Sequence, residues 1–328
     1  SGIGQRPAFA YWGGQRSLAP EELVGVGDVN GDGFDDLVMG GFRWDDGAGD
    51  VGAFDVIGGR TASNDEKIQV ICYPLFRQIG TEAGGNLGNA VTPLGDFDGD
   101  GCSDFAVAAE GENAGGPNRQ GVVWIYRGIG GPNCPNNYEA ARLVRGEANA
   151  RLGASLAVGD VDGDGLPDLL IGARNRNVEQ ATRGGAVLFF GHQLRMIETS
   201  PLFEVGSTTP HVIDTNTEAI ALGGSVVNSE FGRSVAISGD VLAVGTPADQ
   251  VGETTPVGTA IFYQWNQAAM SLDRIGVFVG ETQRPGGRLG ESMIGAPGSA
   301  PRFLIGGTLG NGSGLDNGSV YEVRLTPP

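Results

Sequence analysis

Three short acidic stretches hold the residues whose types and spacing could do chemistry. Each has carboxylate or amide side chains at alternate positions and then runs into an apolar segment: DVNGDGFDD (28–36), DFDGDGCSD (96–104) and DVDGDGLPD (160–168). Oxygen donors at this density are the ligands that hard divalent cations prefer. A single copy would fit an ordinary Asp-Gly hairpin turn, but three copies with the same offsets favour three metal sites.

The third stretch gives the expected ligand set. Its oxygen donors stand at positions 1, 3, 5, 7 and 9, with a backbone carbonyl at position 7: Asp160, Asp162, Asp164, Leu166 and Asp168. Gly165 allows the chain to turn back sharply, so that the last two donors meet the first three. Calcium suits five such donors completed by water, whereas magnesium loses its water reluctantly. An EF-hand is excluded, because its glutamate at position 12 is replaced by Met39, Val107 and Ile171.

The composition restricts the class of protein. The 328 residues carry a net charge of -18, which argues against a nucleic-acid-binding face. Hydrophobic residues make up 40% of the chain, enough for a sizeable core, and no apolar run is long enough to insert into a membrane. The N-terminal residues SGIGQRPAFA show no signal pattern, so we expect any export signal to have been removed.

The acidic stretches belong to a longer repeat. The lead-in phrases LGNAVTPLGD (87–96) and LGASLAVGD (152–160) run into the second and third stretches. Similar phrases recur without an acidic loop in FGRSVAISGDVLAVGTP (231–247) and LGESMIGAPGSAPRFLIGGT (289–308). Together with the first acidic stretch, these phrases indicate five units.

Each unit also contains a later apolar run that is typical of a β-strand. These runs are bounded by Gly, Asn or Pro and lie at 52–59, 121–128, 184–191, 257–265 and 317–325. The segment NNYEAARLVRGE (136–147) could pass for a helix, but its place in the unit is that of an outer strand. Repeated units of four strands predict an all-β fold, a β-propeller with four-stranded blades.

The predicted propeller is a single domain over residues 1–328. Five blades are expected, at about 20–80, 81–147, 148–225, 226–282 and 283–328. The last unit lacks its fourth strand, so we expect an N-terminal strand within 6–14 to complete it and close the ring. Alternatively, Phe9, Tyr11 and Trp12 merely pack under the terminus, and the long spacer 207–225 leaves room for a sixth blade.

The combination of these phrases resembles a known family. FGRSVAISGDVLAVGTP, LGESMIGAP and the three acidic loops are similar to the FG-GAP repeats of integrin α-subunit β-propellers, and the resemblance covers about residues 20–325. Related repeats occur in bacterial surface proteins and some fungal lectins. Integrin propellers have seven blades, which makes seven a further alternative.

The resemblance implies three Ca²⁺ sites and a residue-by-residue ligand set. In the first loop the ligands are Asp28, Asn30, Asp32, the Phe34 carbonyl and Asp36; in the second they are Asp96, Asp98, Asp100, the Cys102 carbonyl and Asp104. The third loop keeps the set already given. The fourth and fifth units lack the loop, so no ion is expected there.

The resemblance also implies which side of the ring holds each feature. In such propellers the calcium loops lie on the lower face, opposite the usual ligand-binding face. Cys102 and Cys134 would then share the lower face, and we expect them to form a disulfide. Cys72 would remain a free thiol, buried in an outer strand.

The loops on the other face vary in every unit, which is where binding functions usually sit. Trp44, flanked by Asp45 and Asp46, is one candidate for ligand binding; the alternative is a Trp folded back over its blade edge. Arg174 and Arg176 are a second candidate, with a solvated loop as the alternative.

The sequence favours a binding protein over an enzyme. His192 and His211 are the only histidines, and no catalytic signature occurs outside the acidic loops. We therefore expect a calcium-stabilised adhesion module, extracellular and either secreted or at the cell surface, that binds a protein ligand as a monomer. The alternative is a lectin of the same architecture that binds a cell-surface glycan.

Overall fold

The computed structural model describes residues 9–10, 21–45, 47, 49–59, 69–70, 74–113, 118–128, 140–178, 181–196, 211–214, 219–250, 257–279, 287–296, 298, 300–308 and 318–325. Almost all the regular structure in these residues is β-strand. No helix among them has the length and apolar content that a membrane span requires.

The described strands are numbered in chain order. The first strands are β1 (Phe9–Ala10), β2 (Glu22–Gly27), β3 (Asp36–Gly41), β4 (Ala53–Ile57), β5 (Gln69–Val70), β6 (Phe76–Ile79), β7 (Leu87–Gly95), β8 (Asp104–Ala109), β9 (Val122–Tyr126) and β10 (Ala140–Arg145). Then come β11 (Leu152–Gly159), β12 (Asp168–Ala173), β13 (Asn177–Val178), β14 (Ala181–Thr182), β15 (Gly185–Phe189) and the helix α1 (Gly191–Met196). The last strands are β16 (His211–Asp214), β17 (Ile220–Gly223), β18 (Val235–Ser238), β19 (Val241–Thr246), β20 (Thr259–Asn266), β21 (Ser271–Val279), β22 (Ser292–Ala296), β23 (Arg302–Gly307) and β24 (Ser319–Arg324).

Five principal sheets form from consecutive antiparallel strands. The first sheet is β2-β3-β4-β6, the second β7-β8-β9-β10, the third β11-β12-β15-β17, the fourth β18-β19-β20-β21 and the fifth β22-β23-β24. The first strand of each sheet contacts the first strand of the next: β2 with β7, β7 with β11, β11 with β18, and β18 with β22. This all-β arrangement is consistent with the predicted propeller.

Four hydrophobic cores lie between successive sheets. Each strand alternates its side chains between two faces, so every inner sheet contributes to two cores. Phe54 of the first sheet meets Phe105 and Tyr126 of the second, with ring centroids 6.1 and 5.2 Å away. Leu169 and Ile171 of the third sheet, both completely buried, pack in the core that this sheet shares with the second. The other two cores join the third sheet to the fourth and the fourth to the fifth.

Glycine contacts set the distance between the sheets. The glycine of the LG or FG lead-in has a left-handed φ of +87° at Gly88, +84° at Gly232 and +84° at Gly290. A Cβ atom on the facing Gly40, Gly172 or Gly245 would lie 2.1 Å from the lead-in carbonyl oxygen. The FG and LG phrases therefore recur because only glycine permits this close backbone approach.

Most predicted strands are confirmed. The five apolar runs form the third strands β4, β9, β15, β20 and β24 of their sheets. The ambiguous segment 136–147 contains β10, an outer strand paired with β9, as its position in the unit predicted. The short helix α1 was not predicted.

The predicted ring closure is not seen among the described residues. Instead of joining β24, β1 pairs in parallel with β5, a strand inserted before β6. The described part of the spacer 207–225 also builds no sixth sheet: β16 joins the outer edge of β10 in parallel, and β17 is the fourth strand of the third sheet. The number of blades remains a prediction.

The glycine contacts predict a large cost for one methyl group. At Gly232 an added Cβ would lie 2.0 Å from the Gly185 carbonyl oxygen, on a backbone with positive φ. Gly232→Ala should lower the free energy of unfolding by about 3 kcal/mol. Gly239→Ala is the matched control, because Gly239 has φ +60° but nothing within 4 Å, and it should cost only about 1 kcal/mol. Equal shifts in urea denaturation would contradict this account.

Candidate metal centres

The acidic loops connect the first and second strands of the first three sheets. They span the gaps between β2 and β3, β7 and β8, and β11 and β12, so they are hairpin loops and not EF-hands. The glycine at position 6 of each loop is left-handed, with φ values of +89° at Gly33, +94° at Gly101 and +85° at Gly165. These glycines allow the sharp turn that the sequence predicted.

The aspartate at position 9 is completely buried in all three loops: Asp36, Asp104 and Asp168 are each 0% exposed. One carboxylate oxygen accepts the backbone N–H of position 2, from Val29 at 3.0 Å, Phe97 at 3.0 Å and Val161 at 2.7 Å. The other oxygen accepts the N–H of a glycine after the third strand, from Gly59 at 2.7 Å, Gly128 at 2.8 Å and Gly191 at 2.7 Å. The same local structure therefore occurs three times.

The aspartate at position 1 closes each loop from the other side. Its carboxylate accepts the N–H of the position 6 glycine, at 2.8 Å for Asp28, 3.0 Å for Asp96 and 3.1 Å for Asp160. These hydrogen bonds hold the loops curled around their own carboxylates.

The predicted ligands cluster in the second and third loops. Ligand atoms of Asp96, Asp98 and Asp104 lie within 4.8 Å of one another, as do those of Asp160, Asp162 and Asp168. In the first loop Asn30 stands at position 3, and its amide donates to Asp36 at 3.4 Å. In the second and third loops the carboxylates at positions 1, 3 and 9 thus lie together at the predicted cation site.

Burial makes the position 9 carboxylates hard to ionise. It raises the pKa of Asp104 to about 8, an effect only partly opposed by the Gly128 N–H and increased by the nearby Asp98. Burial likewise raises the pKa of Asp168 to about 6, against the Gly191 N–H. The pKa of Asp36 is raised for the same reason. A bound cation would reverse this penalty by favouring the ionised forms.

Two basic side chains near the loops were not identified as loop partners from the sequence. The guanidinium of Arg127, just after β9, forms an ion pair with Asp98 and lies 3.7 Å from Asp100. The imidazole of His192, at the start of α1, has Nδ1 3.6 Å from a carboxylate oxygen of Asp164. Both residues adjoin the glycine that caps the position 9 aspartate, and comparison of the units at that glycine could have found them.

The remaining predicted loop residues have different environments. Phe34 is 39% exposed, whereas Cys102 is 2% exposed and takes part in a disulfide. Cys134 and Cys72 lie outside the described residues, so the predicted pairing remains a prediction.

The loops between the second and third strands of each sheet lie at the opposite end of the sheet from the acidic loops, and we call this side the upper face. It holds the predicted ligand-binding residues. Trp44 is half-buried, and the guanidinium carbon of Arg77 lies 5.4 Å from its ring centroid. Asp45 shapes its own loop by accepting the N–H groups of Gly47 at 2.7 Å and Gly49 at 3.0 Å. Asp46 lies outside the described residues.

The two predicted arginines of the upper face, Arg174 and Arg176, form ion pairs with glutamates. Arg174 donates two hydrogen bonds to Glu110, at 2.8 and 2.9 Å, and Arg151 donates a third at 3.2 Å. Burial alone would raise the pKa of Glu110, but the hydrogen bond and charge of Arg174 bring it below its ordinary value. Arg176 similarly donates to Glu147 at 2.6 Å. These pairs join the second sheet to the third.

A family model agrees with this geometry. The FG-GAP repeat model matches residues 87–126 and 152–190. Each match contains the first three strands of one sheet together with its acidic loop. These two segments are similar to FG-GAP repeats. With the integrin matches below, they support an FG-GAP β-propeller that resembles the integrin α propeller.

Known relatives include integrins and one enzyme. Integrin alpha-PS2 of Drosophila melanogaster is 36% identical over 162 residues, covering 46% of this chain and 11% of the relative. Integrin alpha-5 of Xenopus laevis is 26% identical over 279 residues, covering 83% of this chain and 25% of the relative. The human phosphatidylinositol-glycan-specific phospholipase D is 36% identical over 121 residues, covering 35% of this chain and 14% of the relative. The chain therefore spans a quarter or less of these relatives.

The buried carboxylates predict how stability depends on pH in the presence of a chelator. The folded pKa of Asp104 is about 8, above its ordinary value of 3.8, so the folded protein retains a proton that the unfolded chain loses. This contribution is complete below pH 4 and disappears as the pH rises through about 8. Urea denaturation in chelator should therefore show stability falling from pH 5 to pH 9. Asp104→Asn should make the free energy of unfolding depend less on pH. An unchanged pH dependence would contradict the raised pKa of Asp104.

Proposed function

We propose that this protein is a calcium-stabilised, extracellular binding module that recognises a protein ligand through the variable loops of its upper face. The observation that carries the proposal is the acidic hairpin loop, which recurs three times with the same backbone hydrogen bonds to a buried aspartate. The integrin relatives support adhesion or protein binding as the general class of function.

Calcium is the cation that fits the donor chemistry best. Each loop offers carboxylate or amide oxygens at positions 1, 3, 5 and 9 and a backbone carbonyl at position 7, all of them hard donors. Calcium tolerates such an irregular set and completes it with water. In the second loop the Arg127 guanidinium must release Asp98 for the ion to take the full set. We expect that site to bind more weakly than the third.

The lower face also holds the proposed disulfide. Cys102 is bonded and lies within the second acidic loop, and we propose Cys134 as its partner, leaving Cys72 as a thiol. A disulfide supports an oxidising, extracellular location.

A protein ligand suits the upper face better than a glycan. Sugar binding usually needs an open aromatic face, but the Trp44 ring is half-buried beside Arg77. Among the described residues the buried Nε1 atom of Trp44 has no hydrogen-bond partner, so a ligand acceptor that reached it would satisfy this donor. We propose Trp44 as a contact and Arg174 and Arg176 as charged neighbours at the ligand surface.

Removing calcium should destabilise the protein. Three sites occupied at a hundredfold excess over their dissociation constants would raise the melting temperature by about 10 °C or more. Differential scanning calorimetry in calcium and in chelator measures this shift, and coincident curves would overturn the calcium proposal. Asp160→Asn should remove about a third of the shift, because Asn loses the charge and keeps only one of the two oxygen atoms that accept the Gly163 and Gly165 N–H groups.

Ligand recognition should depend on the upper face alone. Beads coated with the protein are expected to adhere to cells in millimolar calcium, and Trp44→Ala should reduce adhesion severalfold. Met270→Ala is the control, because Met270 is a 65% exposed apolar side chain in the β20–β21 turn on the lower face. Enzymatic deglycosylation of the cells should leave adhesion intact. Adhesion lost on deglycosylation would instead favour the lectin alternative.

A further inference from the structure

His192 is fixed beside the third acidic loop. It follows Gly191, whose backbone N–H donates a hydrogen bond of 2.7 Å to the buried Asp168. Because Asp168 is itself the last residue of the loop, this hydrogen bond links the backbone next to His192 directly to the loop. The imidazole therefore occupies a defined position next to the carboxylates.

Aromatic packing orients the imidazole ring. The His192 ring stacks on Phe190 with a centroid distance of 5.7 Å and an interplanar angle of 10°. Phe190 is 5% exposed and is held in turn by Trp265, whose ring centroid lies 4.8 Å away in an edge-to-face contact. The side chain of His192 is still 46% exposed. It is thus positioned by packing and remains open to solvent on one side.

The oriented ring turns Nδ1 towards two loop carboxylates. Nδ1 lies 3.6 Å from Asp164 and 4.0 Å from Asp162. Ligand atoms of all three residues lie within 4.8 Å of one another. A single ion could therefore contact one nitrogen and two oxygen donors after only small side-chain movements.

Within the part of the chain that the structure describes, only the third loop has an imidazole beside its carboxylates. The residues that follow the corresponding capping glycines in the other two loops are Arg60 and Ile129. Imidazole nitrogen is a preferred donor for zinc and other first-row transition ions, whereas calcium prefers oxygen. We propose that Asp162, Asp164 and His192 form a second cation site, which binds zinc or a similar transition-metal dication.

This site overlaps the proposed calcium set. Asp162 and Asp164 serve both ions, whereas Asp160 belongs only to the calcium set and His192 only to the zinc set. The two ions should therefore compete at the third loop. The zinc site itself does not depend on the proposed function; only the competition does.

Isothermal titration of the full chain with zinc chloride tests the proposal. Zinc should bind, and His192→Gln should weaken binding at least about tenfold. His211→Gln, which alters the other histidine, is the matched control and should bind zinc like the unmodified protein. Asp164→Asn provides a second ligand variant. Cobalt absorption in the visible region should change with His192→Gln and not with His211→Gln.

The outcomes separate this inference from the calcium proposal. His192→Gln should keep the calcium-dependent shift in melting temperature, whereas Asp160→Asn should lose part of that shift and still bind zinc. Far-ultraviolet circular dichroism identifies any variant that fails to fold. No zinc binding by the unmodified protein, or equal binding by His192→Gln, would overturn the site. Zinc binding without any calcium effect would overturn only the calcium proposal.

Discussion

The buried aspartate at the start of the second strand is the contact on which each acidic hairpin depends. Asp36, Asp104 and Asp168 each accept one N–H from their own hairpin and one from beyond the third strand. Each carboxylate therefore joins three strands of one sheet. Moving the loop would leave a fully buried polar group without partners, which costs more than the hydrogen bonds contribute. The loops are thus rigid for reasons that lie inside the sheets.

The same burial creates an electrostatic problem that the three loops solve differently. Backbone N–H groups compensate the position 9 carboxylate in every loop, but further acids stand beside it. The first loop replaces one acid by Asn30, the second brings in Arg127, and the third places His192 at its rim. Because the same backbone frame carries different neighbouring groups in the three loops, we expect each loop to have its own cation preference.

Sequence patterns predicted the local structure well because it depends on near neighbours. The acidic loops, their glycine turns and the third strands follow from offsets within single units, and all were found where expected. Contacts between distant segments were not predicted. The pairing of β1 with β5 and of β16 with β10 depends on where insertions return to the sheets. Likewise, the sequence around Arg174 indicates only an arginine in a loop. Its partner Glu110 lies 64 residues away in the chain, so the ion pair could not be predicted from local sequence.

The glycine contacts between sheets have a consequence for side-chain volume. Since backbone atoms touch at Gly245 and Gly290, the gap between the fourth and fifth sheets cannot widen to fit a larger core. The core between these sheets combines the small Ala243 and Ala260 of the fourth sheet with Phe262 of the same sheet and Phe303 of the fifth, whose ring centroids lie 5.3 Å apart. A gain of volume on one side has to be matched by a loss on the other. A substitution that enlarges a core side chain in one unit therefore requires a smaller side chain in the neighbouring unit that shares this core.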